Sequence, residues 1–287
     1  MADFTMRAGD PEAARRIYAE LAEKDPDNRE YRLGQVRAAL SAEQFLNALE
    51  ILEDISGEDP QSEELHTLRG QALEGLGRNE EALAAYARAA RIDPESADPF
   101  WCAARLHMEM GDSTAALQSL EAALEADPRH PATLSNLAEL AYRRGDTQRG
   151  DELLDRALDG NQFDPRANFI RGWRLQQSGD LAAARDAYRR ALRARPEYPG
   201  LHYNLATVLL GMRRPDEARA VLVEALELGK DSPEIRLNLG VALAQAGQIP
   251  DAVRHWRRGL EMAPAPAIAQ QLRANLNQAQ QILNRTP

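Results

Sequence analysis

Residues 63–96 read EELHTLRGQALEGLGRNEEALAAYARAARIDPES, and stepping along the chain by 34 finds the same phrase again. In this window Gly70 is eighth, Gly77 fifteenth, Ala82 twentieth, Tyr86 twenty-fourth, Ala89 twenty-seventh and Pro94 thirty-second. The twentieth position returns as Ala14, Ala48, Ala82, Ala116, Gly150, Ala184, Ala218 and Ala252, and the thirty-second as Pro26, Pro60, Pro94, Pro128, Gln162, Pro196, Lys230 and Pro264. The twenty-fourth is always large: Tyr18, Leu52, Tyr86, Leu120, Leu154, Tyr188, Leu222 and Trp256.

The pattern fits two antiparallel helices per unit. Small residues at the eighth and twentieth positions let the helices approach, and the large twenty-fourth residue fills the space beside them. Glycine at fifteen suits the turn between them, and proline at thirty-two, usually after Asp, stops the second helix. Ala, Leu, Glu and Arg dominate and runs of Val, Ile and Thr are absent, so the fold class is all-α. A fixed period over this length excludes an ordinary helical bundle.

This spacing and residue set resembles the tetratricopeptide repeat. The resemblance covers residues 9–266 in unbroken register. It implies an α-solenoid, a right-handed superhelix whose concave face is lined by the first helix of each unit. Seven units are expected at 29–62, 63–96, 97–130, 131–164, 165–198, 199–232 and 233–266. Residues 1–28 would be a truncated first repeat whose first helix is cut to residues 1–8, and 267–287 a capping helix with Leu272, Leu276, Ala279 and Leu283 on one stripe. Glu43 and Arg213 depart from the turn glycine, Gln162 and Lys230 from the proline, and these should soften individual repeats. A pentatricopeptide array has a period nearer 35, which would carry the prolines out of phase here.

The chain has 287 residues and a formal charge of −10, with aromatic residues at 5%. The charge is uneven: residues 1–100 carry 11 basic and 22 acidic side chains, residues 101–198 carry 14 and 15. A net-acidic chain lacks the basic footprint that nucleic acid requires. No apolar run is long enough to span a bilayer, so no direct membrane insertion is expected. The chain as given is expected to be cytoplasmic, or periplasmic or membrane-associated had an N-terminal segment been removed.

Catalytic chemistry is not in evidence. The single cysteine, Cys102, permits no internal disulfide, and the five histidines fall in five different repeats without metal-pair spacing. His107 is expected to be a satisfied core histidine. Cys102 would be either a small buried side chain or, with Arg105 one turn away, a thiol of lowered pKa. An unbroken register leaves every turn short, with no insertion to hold an active site. The expectation is a non-catalytic scaffold with no cofactor and no metal.

In the resemblance, outward positions of the first helix read a partner. Carried over, they nominate Trp101, Arg105, Asn136, Tyr142, Arg143, Arg166, Phe169, Ile170, Trp173, Tyr203, Asn204 and Asn238 as lining the groove. Trp173, Phe169 and Trp101 are the expected anchors, since a buried aromatic anchor is worth about 2 kcal/mol or more against about 0–1 for an exposed charge pair. Arg105, Arg143 and Arg166 would favour an acidic partner. The asparagines, at the sixth position, would hold the backbone of an extended peptide, in a ladder interrupted at Ile170. The expected partner is an extended or helical segment of another protein. A homo-oligomer is the alternative, with Arg185, Arg189, Arg190 and Arg193 docking on the acidic first third of a second copy, as is the repeat arm of a larger enzyme or secretion complex.

Overall fold

The computed structural model describes residues 11–26, 28–57, 60–198 and 200–284. The shortened first helix expected over residues 1–8 lies outside the described residues. Among the described residues there are sixteen α-helices and no strand. The chain divides into two compact units, Met1–Leu137 and Ala138–Pro287, with the boundary inside one helix.

The first unit holds α1 (Pro11–Lys24), α2 (Arg29–Ser41), α3 (Phe45–Ser56), α4 (Glu63–Gly75), α5 (Asn79–Ile92), α6 (Asp98–Glu109), α7 (Ser113–Ala126) and the start of α8 (Pro131–Arg143). The second holds the rest of α8, then α9 (Thr147–Gly160), α10 (Pro165–Gln177), α11 (Leu181–Ala194), α12 (Leu201–Gly211), α13 (Pro215–Glu227), α14 (Pro233–Gln245), α15 (Ile249–Glu261) and α16 (Pro266–Leu283). Successive helices pack on one another from α1 to α7 and from α9 to α16, and alternate helices such as α4 and α6, or α12 and α14, also touch.

Local chemistry sets the boundaries. Asp112, Asp146, Asp164 and Asp180 cap α7, α9, α10 and α11 by accepting from backbone N–H groups of the first turn, and Ser62 and Ser232 do the same for α4 and α14. Each first helix ends in a left-handed residue. At Gly77, φ is 73°, and the N–H of Arg78 returns to the carbonyl of Leu73 at 2.9 Å. The same closure forms without glycine: Glu43 and Arg213 adopt φ of 57° and 56°, with Gln44 N–H on Ala39 O at 2.8 Å and Arg214 N–H on Leu209 O at 2.9 Å. The turn geometry is therefore kept at both positions, and the departure from glycine is absorbed as backbone strain. Where proline is replaced, other devices stop the helix. Gly229, with φ of 74°, closes α13 ahead of Lys230. Asn161 accepts from Phe163 N–H ahead of its neighbour Gln162, as Asp127 accepts from Arg129 N–H ahead of Pro128.

Inside the hairpins, the eighth and twenty-fourth residues exchange volume. In three hairpins the twenty-fourth is aromatic and the eighth glycine: Gly70 with Tyr86, Gly172 with Tyr188, Gly240 with Trp256. Tyr18, also at the twenty-fourth position, lies instead against Gly34 of the next unit. Where the twenty-fourth is leucine, the eighth carries a side chain: Val36 with Leu52, Ala104 with Leu120, Ala138 with Leu154, Ala206 with Leu222. The cause is steric. A Cβ built on Gly70, Gly172 or Gly240 falls inside van der Waals contact of its partner ring, 2.6 Å from Cδ1 of Tyr188 in the second case. Each ring is buried and has a polar handle: Tyr86 donates to Glu74, Tyr188 to Gln176, and the Trp256 indole to the carbonyl of Leu237.

At the C-terminal end, α16 lays Leu272 and Ala279 into the core of the second unit, with Leu276 half-buried against it. Leu283, expected on the same stripe, is exposed at the last turn of the helix.

Candidate functional site

The second unit contains a concavity of about 360 Å³ lined by Glu139 and Arg143 of α8, by Arg166, Phe169, Ile170 and Trp173 of α10, and by Tyr198 from the turn after α11. Residues 139 and 143 lie one helical turn apart, as do 166, 169, 170 and 173 over two turns, so each set shares one helix face.

The apolar wall is built in depth. Ile170 is only 4% exposed and supplies the floor. Phe169 is half-buried, its ring centroid 5.5 Å from Tyr198 and 6.0 Å from Tyr188. Trp173 is the open element, 39% exposed, and leans on Tyr142 at 6.5 Å. Tyr142 is itself buried, donates to Asp151 Oδ1 at 2.6 Å, and has the Arg174 guanidinium 5.8 Å from its ring centroid. Burial and the adjacent Asp151 carboxylate raise the Tyr142 hydroxyl pKa, so it stays protonated and continues to donate. Tyr142 thus supports Trp173 from behind and does not reach the opening itself.

The polar rim is one carboxylate between two guanidinium groups. Glu139 Oε1 accepts from Arg143 at 2.6 Å, and Glu139 Oε2 accepts from Arg166 at 3.2 Å. The Nε of Arg166 is buried and faces no hydrogen-bond partner among the described residues.

Other nominated residues are placed differently. In the first unit Arg105 donates to Glu74 at 2.7 Å and to Glu109 at 3.0 Å, and lies 5.9 Å from the ring centroid of Trp101. It is an internal strut with two carboxylates of its own. Trp101 is half-buried with its edge toward His130 at 6.2 Å, and its Nε1 is buried without a partner among the described residues. Asn136 is 2% exposed and Asn238 is buried, donating to Thr207 Oγ1 at 2.9 Å. The Oδ1 of Asn136 is buried and faces no hydrogen-bond partner among the described residues. Asn204 and Tyr203 are half-buried on α12. His107 is half-buried, and its Nδ1 lacks the hydrogen bond expected of a satisfied core histidine. The Cys102 thiol is buried, and burial pushes its pKa up to about 11 despite the nearby Arg105 guanidinium, so the lowered-pKa alternative fails. The arginine-rich face of α11 finds partners within the chain: Arg185 with Asp186, Arg189 with Glu217, and Arg190 with the side-chain Oδ1 of Asn168.

Sequence reasoning left out Glu139 and Tyr198. Glu139 is the ninth residue of its unit, an outward position of the first helix, and only its place between two arginines marks it out from the other acids there. Tyr198 ends its repeat in a turn, outside the helix positions from which a groove is read. No helix among the described residues is long and apolar enough to cross a membrane.

Comparison with known proteins places the chain. Family models described as tetratricopeptide repeat match residues 5–72, 175–231 and 209–276, and others of the same description match 103–165 and 135–199. A further repeat model matches 70–111. The TPR repeat-containing protein YpiA of Bacillus subtilis is 23% identical over 235 residues, 82% of this chain and 55% of that protein. The cellulose synthase operon protein C of Xanthomonas axonopodis pv. citri is 31% identical over 169 residues, 56% of this chain and 11% of that protein. The chain therefore spans about half the length of the first relative and a small part of the second. Among solved structures, the APC/C hetero-tetramer Cut9–Hcn1 superposes with a TM-score of 0.72 at 16% identity, over 96% of this chain and 54% of that one. Pseudomonas aeruginosa PilF superposes with a TM-score of 0.64 at 20% identity, over 76% of this chain and 99% of that one. With its period, its hairpins and these matches in hand, the chain belongs to the tetratricopeptide repeat family.

Proposed function

We propose that the chain is a non-catalytic scaffold that holds a segment of a partner protein in the concavity between α8 and α10. In this reading the seven 34-residue units at 29–266 form the frame and residues 267–287 close it. The observation that carries the proposal is Trp173. Its indole stands 39% exposed at the mouth of a cavity floored by Ile170 and walled by Phe169 and Tyr198. A large aromatic ring backed by rigid packing, beside an open apolar hollow, has the character of an interface anchor. The likeness to a member of a hetero-tetramer supports the same reading.

The test is a displayed peptide library panned against the chain, with the selected peptides measured by fluorescence anisotropy. Trp173→Ala weakens their binding at least about tenfold, the scale of a lost aromatic anchor. Because the ring is partly buried against Tyr142, some loss of thermal stability is expected, and circular dichroism establishes that the variant is folded at the assay temperature. Equal affinity for the wild type and the variant would reject the site.

A further inference from the structure

Arg143 and Arg166 both spend their charge on the single carboxylate of Glu139. This is an excess of one cation at the rim of an apolar hollow, and it differs from the arrangement in the first unit. There Arg105 alone has Glu74 and Glu109. The rim of the second unit has donors to spare, and the buried Nε of Arg166 is one of them. The Glu139 side chain is 33% exposed and that of Arg143 68%, so the pairing is open to water and weakly held.

Resting on the function proposed above, we infer that the site selects an internal segment of its partner in which a bulky apolar side chain stands beside an aspartate or glutamate. The apolar side chain enters against Phe169, Ile170 and Trp173. The adjoining carboxylate takes donors from Arg166 and Arg143, forming charge-assisted hydrogen bonds in a partly desolvated place. Glu139 stands in for that carboxylate in the free protein. It keeps the two guanidinium groups turned toward the cavity and excludes segments whose anchor has no acid beside it, which gain nothing by displacing it.

The experiment uses the whole chain and the displayed library, followed by labelled synthetic peptides amidated at their C-termini so that only side-chain carboxylates can respond. Selection on the wild type enriches Asp or Glu within two positions of a bulky apolar residue. Selection on the Arg143→Ala, Arg166→Ala double variant keeps the apolar residue and loses the acid. For the best peptide, Asp→Asn or Glu→Gln exchange weakens binding about tenfold, the effect of one lost charge-assisted contact. Glu139→Gln, checked for folding by circular dichroism, tightens the acidic peptide and leaves its amide counterpart unchanged. Selected peptides that lose affinity with Trp173→Ala but carry no acid, or bind equally after the amide exchange, would overturn the acid requirement and leave the groove in place. Peptides indifferent to Trp173→Ala would remove both readings. A peptide that binds only with its terminal carboxylate free would overturn the internal segment.

Discussion

The exchange of volume between the eighth and twenty-fourth residues predicts a change of sign. Gly172 lies under Tyr188, whose ring is fully buried. Replacing glycine by alanine inside a helix is worth about 1 kcal/mol in its favour. Here the new Cβ stands 2.6 Å from Cδ1 and Cε1 of the ring. Moving a buried ring that also donates to Gln176 costs about 1–3 kcal/mol of overpacking. Gly172→Ala therefore destabilises the wild type by about 1 kcal/mol net. Tyr188→Leu alone leaves a void and costs about 2–3 kcal/mol. In the Tyr188→Leu background the clash is gone and the methyl enters the vacated space, so Gly172→Ala stabilises by about 1 kcal/mol. Urea unfolding of the four proteins, followed by far-UV circular dichroism, gives the coupling directly, and its expected size is about 2 kcal/mol, within the range for touching residues. If Gly172→Ala has the same effect in both backgrounds to within about 0.5 kcal/mol, the pairing is coincidental and the steric account fails.

Two further predictions concern the backbone and a buried histidine. Glu43→Gly and Arg213→Gly each release a side chain from φ near +57° and raise stability by about 0.5–1 kcal/mol, the left-handed penalty less the entropy of glycine, whereas Gly77→Ala lowers it by about 1 kcal/mol. Urea midpoints decide this, and no gain in either glycine variant would contradict the strain. His202 of α12 is 2% exposed with Nε2 unpartnered among the described residues, and burial with the Lys230 charge lowers its pKa to about 4. The unfolded histidine binds a proton near pH 6.5 and the native one only near 4, so stability falls as pH drops through that window, by at most about 1.4 kcal/mol per pH unit. His202→Gln flattens that slope in urea titrations at a series of pH values, and an unchanged slope would assign it to other groups.

The fold was legible because its information is periodic. One glycine or alanine says little, but Ala82 and its equivalents recur in phase and each recurrence reports the same helix crossing. The exchange between Gly172 and Tyr188 was also in the letters, yet it emerges only once the ring is seen over the glycine. The site was less legible because it depends on which way neighbouring positions turn. Asn136 is expected on the groove and is buried, while Trp173, expected there too, is open. Arg105 and Arg166, the ninth and second residues of their units, are both expected on the groove. What separates them is a second carboxylate, Glu109, one turn after Arg105, whereas Ile170 follows Arg166 at the same interval. Tyr198 belongs to the concavity through the path of a turn, which a helix pattern does not describe.

Three hairpins settle their steric accounts between their own eighth and twenty-fourth residues, whereas Gly34 makes room for Tyr18 and Gly75 for Phe45 of the hairpin before, so those two seams are fitted to a particular neighbour. A gene encoding such units can gain or lose one whole most easily at a seam without such a pair, since elsewhere an aromatic ring would lose the glycine that admits it. The solvent-facing positions carry no such constraint and are free to diverge from copy to copy while the frame beneath stays sound.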